Sequence, residues 1–165
     1  MSEPVLTTED LLAWNEKTTQ NWRKLLSSHP ELLNKPCDVA GSKTIAELLQ
    51  HIVAVELRFA QRIADLPITD YSELPFDSVD SIYATHTRSI ALFQQSLAAD
   101  TNWNEEIDFP TRTAGRLRST RKTILFHALL HGIRHYAQLA TLVRQQGVKP
   151  DWPMDYLFMH MERVQ

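Results

Sequence analysis

Three histidines recur at four-residue intervals in the segment HALLHGIRHYAQL, which begins at His127 and continues through His131 and His135. Residues four apart on an α-helix lie one turn apart on the same side, so His131 and His135 could bind one ion through their imidazoles. His-x-x-x-His is a known spacing for metal ligands on helices, but it also arises by chance. The segment alone leaves two hypotheses open, a metal site and a pair of hydrogen-bonded buried histidines.

A further histidine, His51, lies in the apolar stretch of another predicted helix, close to Leu48, Ile52 and Val55. A single histidine in such a place is usually a hydrogen-bonded core residue. If it faces the other pair across a bundle, three imidazoles complete a ligand set with open positions left over, which is the pattern of a catalytic metal. Imidazole suits zinc, nickel, copper and iron, and affinity order does not choose among them.

Four long amphipathic segments are available to position these histidines, roughly 8–28, 44–63, 79–99 and 119–146. Thr7 with Asp10 resembles a capping pair, Thr44 with Glu47 fits a capping box, and Asp77 or Ser78 caps the third helix. We therefore predict an all-α fold, a four-helix bundle with a short extra C-terminal helix.

The segments outside the four helices carry weaker patterns. In DTNWNEEIDFPTRTAGRLRST, apolar residues alternate loosely, which indicates a short hairpin-like excursion. The last helix is expected around 154–163, with Tyr156, Leu157 and Met161 packed on the bundle. The basic run Arg112, Arg116, Arg118, Arg121 and Lys122 is interpreted as a solvated loop and helix start.

Length and charge exclude several classes of protein. The 165 residues suit one domain, 1–165, and the net charge of −3 gives no electrostatic case for nucleic acid. The single cysteine, Cys37, cannot form an internal disulfide, and a packed or exposed free thiol is its expected state. The N-terminus has acids and no apolar run, and no stretch approaches a membrane span, so a cytoplasmic protein is expected.

The combination of TIAELLQHIVAVE with HGIRHYAQL resembles the DinB-like (YfiT-like) metal-binding four-helix bundle family. Leu49-Gln50-His51 matches its Leu-x-His-like motif, and the segment 131–138 matches its His-x-x-x-His-x-x-Gln motif. The ending DWPMDYLFM is also similar, so the resemblance covers most of the chain. It implies a divalent ion, zinc or nickel, held by His51, His131 and His135. Relatives include transferases and isomerases that use small thiols, and many members have no assigned reaction.

Residues near the three histidines have open roles. Gln138, His127 and Glu47 are candidates for contacts that support the ligands, although Gln138 also fits a surface amide and Glu47 a capping acid. Glu56, about 140° round the helix from His51, is expected to be exposed. Glu47, Tyr136 and His127 are the candidates for a general acid or base, and Cys37 is not expected to be a nucleophile.

These observations favour a metal-dependent enzyme, a thiol-dependent S-transferase or a hydrolase, and its expected partner is a small molecule such as a low-molecular-weight thiol. The alternative is a non-catalytic metal-binding stress-response module. The resemblance also implies a homodimer, because bundles of this family often pair. The candidate dimer face is formed by the tryptophans and the exposed parts of the first and last helices.

Overall fold

The computed structural model describes residues 4–111, 114–162 and 164. Four α-helices dominate it: α1 (Thr8–Ser28), α2 (Ile45–Ile63), α3 (Val79–Ala98) and α4 (Arg121–Gln145). A two-stranded antiparallel hairpin, β1 (Glu106–Pro110) and β2 (Arg116–Thr120), precedes α4. The prediction of an all-α four-helix bundle is confirmed. Among the described helices, none combines the length and apolarity needed to cross a membrane.

Side-chain caps begin the helices where the sequence places them. Thr7 and Asp10 form a complete capping box, in which each side chain accepts a hydrogen bond from the other residue's backbone N–H. At α2, Thr44 accepts from the Glu47 N–H, but the Glu47 carboxylate accepts from the N–H of Lys43 at 2.7 Å. In the predicted capping box, the Glu47 carboxylate would accept from the N–H of Thr44, so the donor is one residue earlier than predicted.

α2 is the central helix, because it packs against both α3 and α4, while α1 closes the bundle against α4 and α3. The core has two large apolar clusters at successive levels of the bundle and a third, small cluster of Ala54, Leu57 and Leu74. One large cluster contains Trp22, Ile52, Tyr83 and Tyr136, and the other contains Leu12, Ala60, Phe93 and Leu129. Between these levels each helix contributes a small or polar residue: Asn15, Glu56, His86 and Gly132.

The hairpin confirms the predicted extended excursion and packs on α2. Its register pairs Glu106 with Thr120 and Pro110 with Arg116. Phe109 is buried, and its ring contacts Phe59 edge to face at a centroid distance of 5.6 Å. β2 continues to Thr120, so α4 begins at Arg121.

The prediction that the basic run is solvated is wrong at Arg121. Its side chain is buried, donates to the carbonyl of Ile63 and forms ion pairs with Asp65 and Glu105. The reason is positional, since the end of α2 exposes carbonyl groups beside the start of α4. Arg116, Arg118 and Lys122 are exposed as expected, and Arg112 lies outside the described residues.

The C-terminal helix is a single 3-10 turn, Tyr156–Met159, and is shorter than predicted. Tyr156 packs edge to face on Trp14 at 5.3 Å, but Leu157 and Met161 are 70% and 50% exposed, so the predicted packing of these two residues is wrong. One turn can present only part of its circumference to α1. Arg163 lies outside the described residues.

Trp22 is fully buried within the protomer, where its ring stacks on Tyr136 at a centroid distance of 6.0 Å and meets Trp152 edge to face. Its large apolar surface is therefore used in the core. Trp22 cannot contribute to a dimer face.

Candidate metal centre

His51 on α2 and His131 and His135 on α4 come together in the bundle. The Nε2 atom of His131 lies 3.1 Å from Nε2 of His51 and 3.1 Å from Nε2 of His135. The possible ligand atoms of the three residues all lie within 4.8 Å of one another. Nitrogens bound tetrahedrally to one zinc ion are separated by about 3.3 Å, so the spacing suits a shared cation.

The electrostatics of the cluster favour neutral imidazoles. Burial, together with the charges that His135 and His51 would carry, lowers the pKa of His131 to about 2. Burial also lowers the pKa of His135. A neutral imidazole is the form that could bind a metal, and burial favours this form in both residues.

Gln138 sets the tautomer of His135. Nδ1–H of His135 donates to Oε1 of Gln138 at 2.7 Å, so the lone pair of the ring lies on Nε2, the atom that faces His131. Gln138 is exposed, and this contact is made one turn along α4. The amide thus aims the His135 lone pair at the centre of the cluster.

The residues fit a metal ion on chemical grounds. Nε2 of His131 lies at hydrogen-bond distance from Nε2 of His51 and from Nε2 of His135. One proton on His131 can form a good hydrogen bond to only one of these nitrogens, whereas one metal ion could accept the lone pairs of all three. Nδ1 of His131 is buried and has no hydrogen-bond partner among the described residues. Three nitrogen donors also leave at least one coordination position for another molecule.

A cavity of about 560 Å³ adjoins the cluster and lies between α2, α4 and the hairpin. His131 and His135 are almost completely buried, while His51 is partly exposed. Apolar side chains form much of the cavity wall: Ala54, Val55, Phe59, Pro110 and Leu117. The arrangement gives a small organic molecule access to the three histidines.

The three candidates for a general acid or base are in different places. His127 lines the cavity, and its ring lies 5.5 Å from the rings of both His131 and Phe59. Tyr136 is in the core on another side of α4, where its hydroxyl lies 3.5 Å from that of Tyr83. Glu47 bonds to the backbone of Lys43 and lines a separate groove. Of these three candidates, His127 alone borders the histidine cavity.

The expectation of an exposed Glu56 is wrong. Its side chain is 0% exposed, accepts from Nδ2 of Asn15 at 3.0 Å and lies 2.7 Å from Nδ1 of His86. α2 is surrounded by other elements, so a position 140° from His51 faces the bundle interior and not solvent. A sequence signal was present, because Glu56 lies between the apolar residues Val55 and Leu57.

Sequence reasoning missed three arginines that line the histidine cavity: Arg58, Arg62 and Arg134. Arg58 and Arg62 follow His51 by seven and eleven positions, and both spacings return to within about 20° of the same helix face. This periodicity could have identified them. Their shared cavity depends on the hairpin and α4, which no spacing on α2 reveals.

Cys37 is buried in one of the apolar clusters, and its Sγ accepts from the Val39 N–H at 3.4 Å. Burial raises the pKa of its thiol. A buried thiol with a raised pKa is a poor nucleophile, and of the two expected states, packed or exposed, the free thiol of Cys37 is packed.

The fold and the cluster define a class, a four-helix bundle with three histidines that open onto a cavity. The profile of the DinB family matches residues 1–164, and the chain belongs to the DinB family. A search of curated proteins finds no match to the chain.

Proposed function

We propose that this protein is a metal-dependent enzyme that holds a divalent transition metal, zinc or nickel, on His51, His131 and His135. The observation that carries the proposal is the convergence of three Nε2 atoms beside a cavity of about 560 Å³. A structural zinc site normally has four protein ligands, whereas three ligands beside a cavity are typical of catalysis.

The ion would supply Lewis-acid chemistry, because neutral imidazoles leave its charge intact and the pKa of a water or thiol ligand would fall. The protein's own residues supply positioning. Gln138 orients His135, and the apolar wall formed by Val55, Phe59 and Leu117 excludes water from a bound substrate. The reaction supported best is attack by a small nucleophile, a low-molecular-weight thiol or water, on an electrophile in this cavity.

Two measurements test the proposal in sequence. Elemental analysis after loading with zinc or nickel should give one ion per chain in the native protein and almost none in His131→Ala. His127→Ala is the matched control, since it removes a histidine one turn away on the same helix that is not one of the three converging ligands. Native protein that retains no ion after loading would refute the metal centre.

The loaded protein is then assayed for two reactions, conjugation of 2-mercaptoethanol to 1-chloro-2,4-dinitrobenzene and hydrolysis of 4-nitrophenyl acetate. Turnover that depends on the ion and disappears in His131→Ala supports the enzyme. If the protein binds the metal but accelerates neither reaction beyond the rate measured with the free ion alone, the enzyme proposal is wrong. A non-catalytic metal-binding module is then favoured.

A further inference from the structure

The lining of the histidine cavity is rich in positive charge. Arg58, Arg62 and Arg134 line it, and we call these three residues the cavity arginines. No aspartate or glutamate appears among the described residues that line the same cavity. Outside this lining, the exposed carboxylate of Asp70 interacts with the charge of Arg58. A bound divalent ion would add two more positive charges, so the site as proposed carries an excess of positive charge.

The cavity arginines differ in their partners from four other arginines of the described chain, whereas Arg88 and Arg144, both exposed, also lack an ion pair. Each of those four, Arg23, Arg116, Arg118 and Arg121, lies within ion-pair distance of a carboxylate. Across the described chain, no carboxylate comes that close to a cavity arginine. Their contacts are neutral: Arg58 donates to the Thr69 carbonyl at 3.0 Å, and Arg134 lies 3.1 Å from Nε2 of His135.

Arg62 is the least satisfied of the three. Its Nε is buried without a hydrogen-bond partner among the described residues, and its guanidinium lies 5.4 Å from the centroid of the Phe109 ring. Burial and then the nearby positive charge of Arg58 both lower its pKa. Holding two guanidinium groups near each other in a partly buried place is costly unless an anion binds between them.

We infer that the cavity binds an organic acid whose carboxylate or phosphate group is held by Arg58 and Arg62 while its reactive end lies at the three histidines. The guanidinium fork matches the oxygens of either group. A rise of about 1.5 Å per residue places Arg58 about 10 Å and Arg62 about 16 Å along α2 from His51, measured between Cα atoms. Since both side chains are long, the acid suited to this span has a chain of several carbons, which the apolar wall would cover. Arg134, beside His135, adds a third positive charge near the reactive end.

The inference rests on the proposed function, since it assigns the substrate class of the same cavity. It is tested with three probes of equal chain length, 6-mercaptohexanoate, 6-mercaptohexyl phosphate and 6-mercaptohexanol. Binding of each is measured by isothermal titration calorimetry to the zinc-loaded and to the metal-free protein. At least one acid should bind at least about ten-fold more tightly than the alcohol, which is the size of one charge-assisted hydrogen bond. The tighter of the two acids identifies the headgroup.

Variants assign the preference to the arginines. Arg58→Gln should reduce the preference for the acid over the alcohol. The double variant Arg58→Gln with Arg62→Gln should abolish this preference, and added salt should weaken it in the native protein. Arg88→Gln, an exposed arginine on α3, is the control and should retain it. Equal binding of acids and alcohol by the native protein would overturn the inference, as would a preference that survives in a double variant with native circular dichroism. A protein that fails to hold zinc yet prefers the acids when metal-free would instead overturn the proposed function and leave the anion site standing.

Discussion

A carboxylate oxygen of Glu56 lies 2.7 Å from Nδ1 of His86, and both side chains are buried at the level where the two large apolar clusters of the core meet. Asn15 completes this polar layer from α1 by donating to the other oxygen of Glu56. Three helices are therefore linked by one carboxylate. A buried ion pair of this kind is costly to break from one side, because the remaining charge has no water to compensate it.

The Glu56–His86 pair should make stability depend on pH. Burial lowers the pKa of His86, but the charge and hydrogen bond of Glu56 raise it more, with Glu16 adding to the rise and Arg23 opposing it. A raised folded-state pKa gives stabilisation that is complete below the unfolded value of about 6.5 and is lost as pH rises through the folded value. In urea unfolding, the excess stability of the native protein over His86→Gln should therefore be larger at pH 6 than at pH 8.

A surface pair provides the control for that measurement. His29 lies 3.2 Å from Glu31 with both side chains largely exposed, so His29→Gln should have little effect on stability at either pH. Glu56→Gln should remove most of the pH dependence attributed to His86. An excess stability that grew between pH 6 and pH 8 would contradict the assigned pair.

Gln138 is expected to control metal affinity without being a ligand. In Gln138→Ala the Nδ1–H of His135 loses its acceptor, and affinity for zinc should fall by about 10- to 100-fold. Gln138→Glu should retain the affinity, because a carboxylate oxygen also accepts that hydrogen bond. Competition with a chelator measures both. Gln145→Ala, which removes another exposed amide of α4, should behave as native, and an unchanged Gln138→Ala would exclude the orienting role.

Gly132→Ala should destabilise the protein although alanine is the better helix former. The new Cβ would lie 3.2 Å from both Nδ2 of Asn15 and Oε1 of Glu56, two atoms already hydrogen-bonded to each other. The gain in helix propensity is about 1 kcal/mol, and overpacking a buried site costs about 1–3 kcal/mol. We expect a net loss of about 1 kcal/mol in thermal or urea unfolding.

A double-mutant cycle assigns that loss to the close contact. With Asn15→Ala in place, one of the two crowded atoms is gone, so adding Gly132→Ala should cost less than it does in the native background. Equal costs in the two backgrounds would show that the crowding at Asn15 is not the cause.

Arg121→Ala should reduce stability by about 2 kcal/mol, because it removes a buried guanidinium that joins the end of α2 to the start of α4. Asp65 and Glu105 are exposed enough to be rehydrated, which limits the loss. Arg118→Ala removes an exposed pair with Asp108 and should have a much smaller effect, because water screens the two charges. Similar losses in the two variants would contradict the buried role of Arg121.

Local chemistry in the sequence determined where the long helices lie. Thr7, Thr44 and Ser78 cap helices that begin at the next residue, and apolar periodicity carries each helix to its end. The four-residue spacing of His131 and His135 also follows from the helix alone, since α-helical geometry holds residues four apart on one side. The 3-10 turn at Tyr156 was less predictable, because its few residues have no apolar period to measure.

The tertiary structure decided how positions on different helices combine. His51 lies beside His131 and His135 because α2 and α4 pack directly against each other. The central position of α2 also buries Glu56, although its angle from His51 on the helix predicted exposure. The cavity arginines line one cavity with the histidines only because the hairpin and α4 enclose that space. A sequence records spacing along one helix, whereas burial and cross-helix contacts depend on which neighbours surround that helix, and packing alone establishes those neighbours.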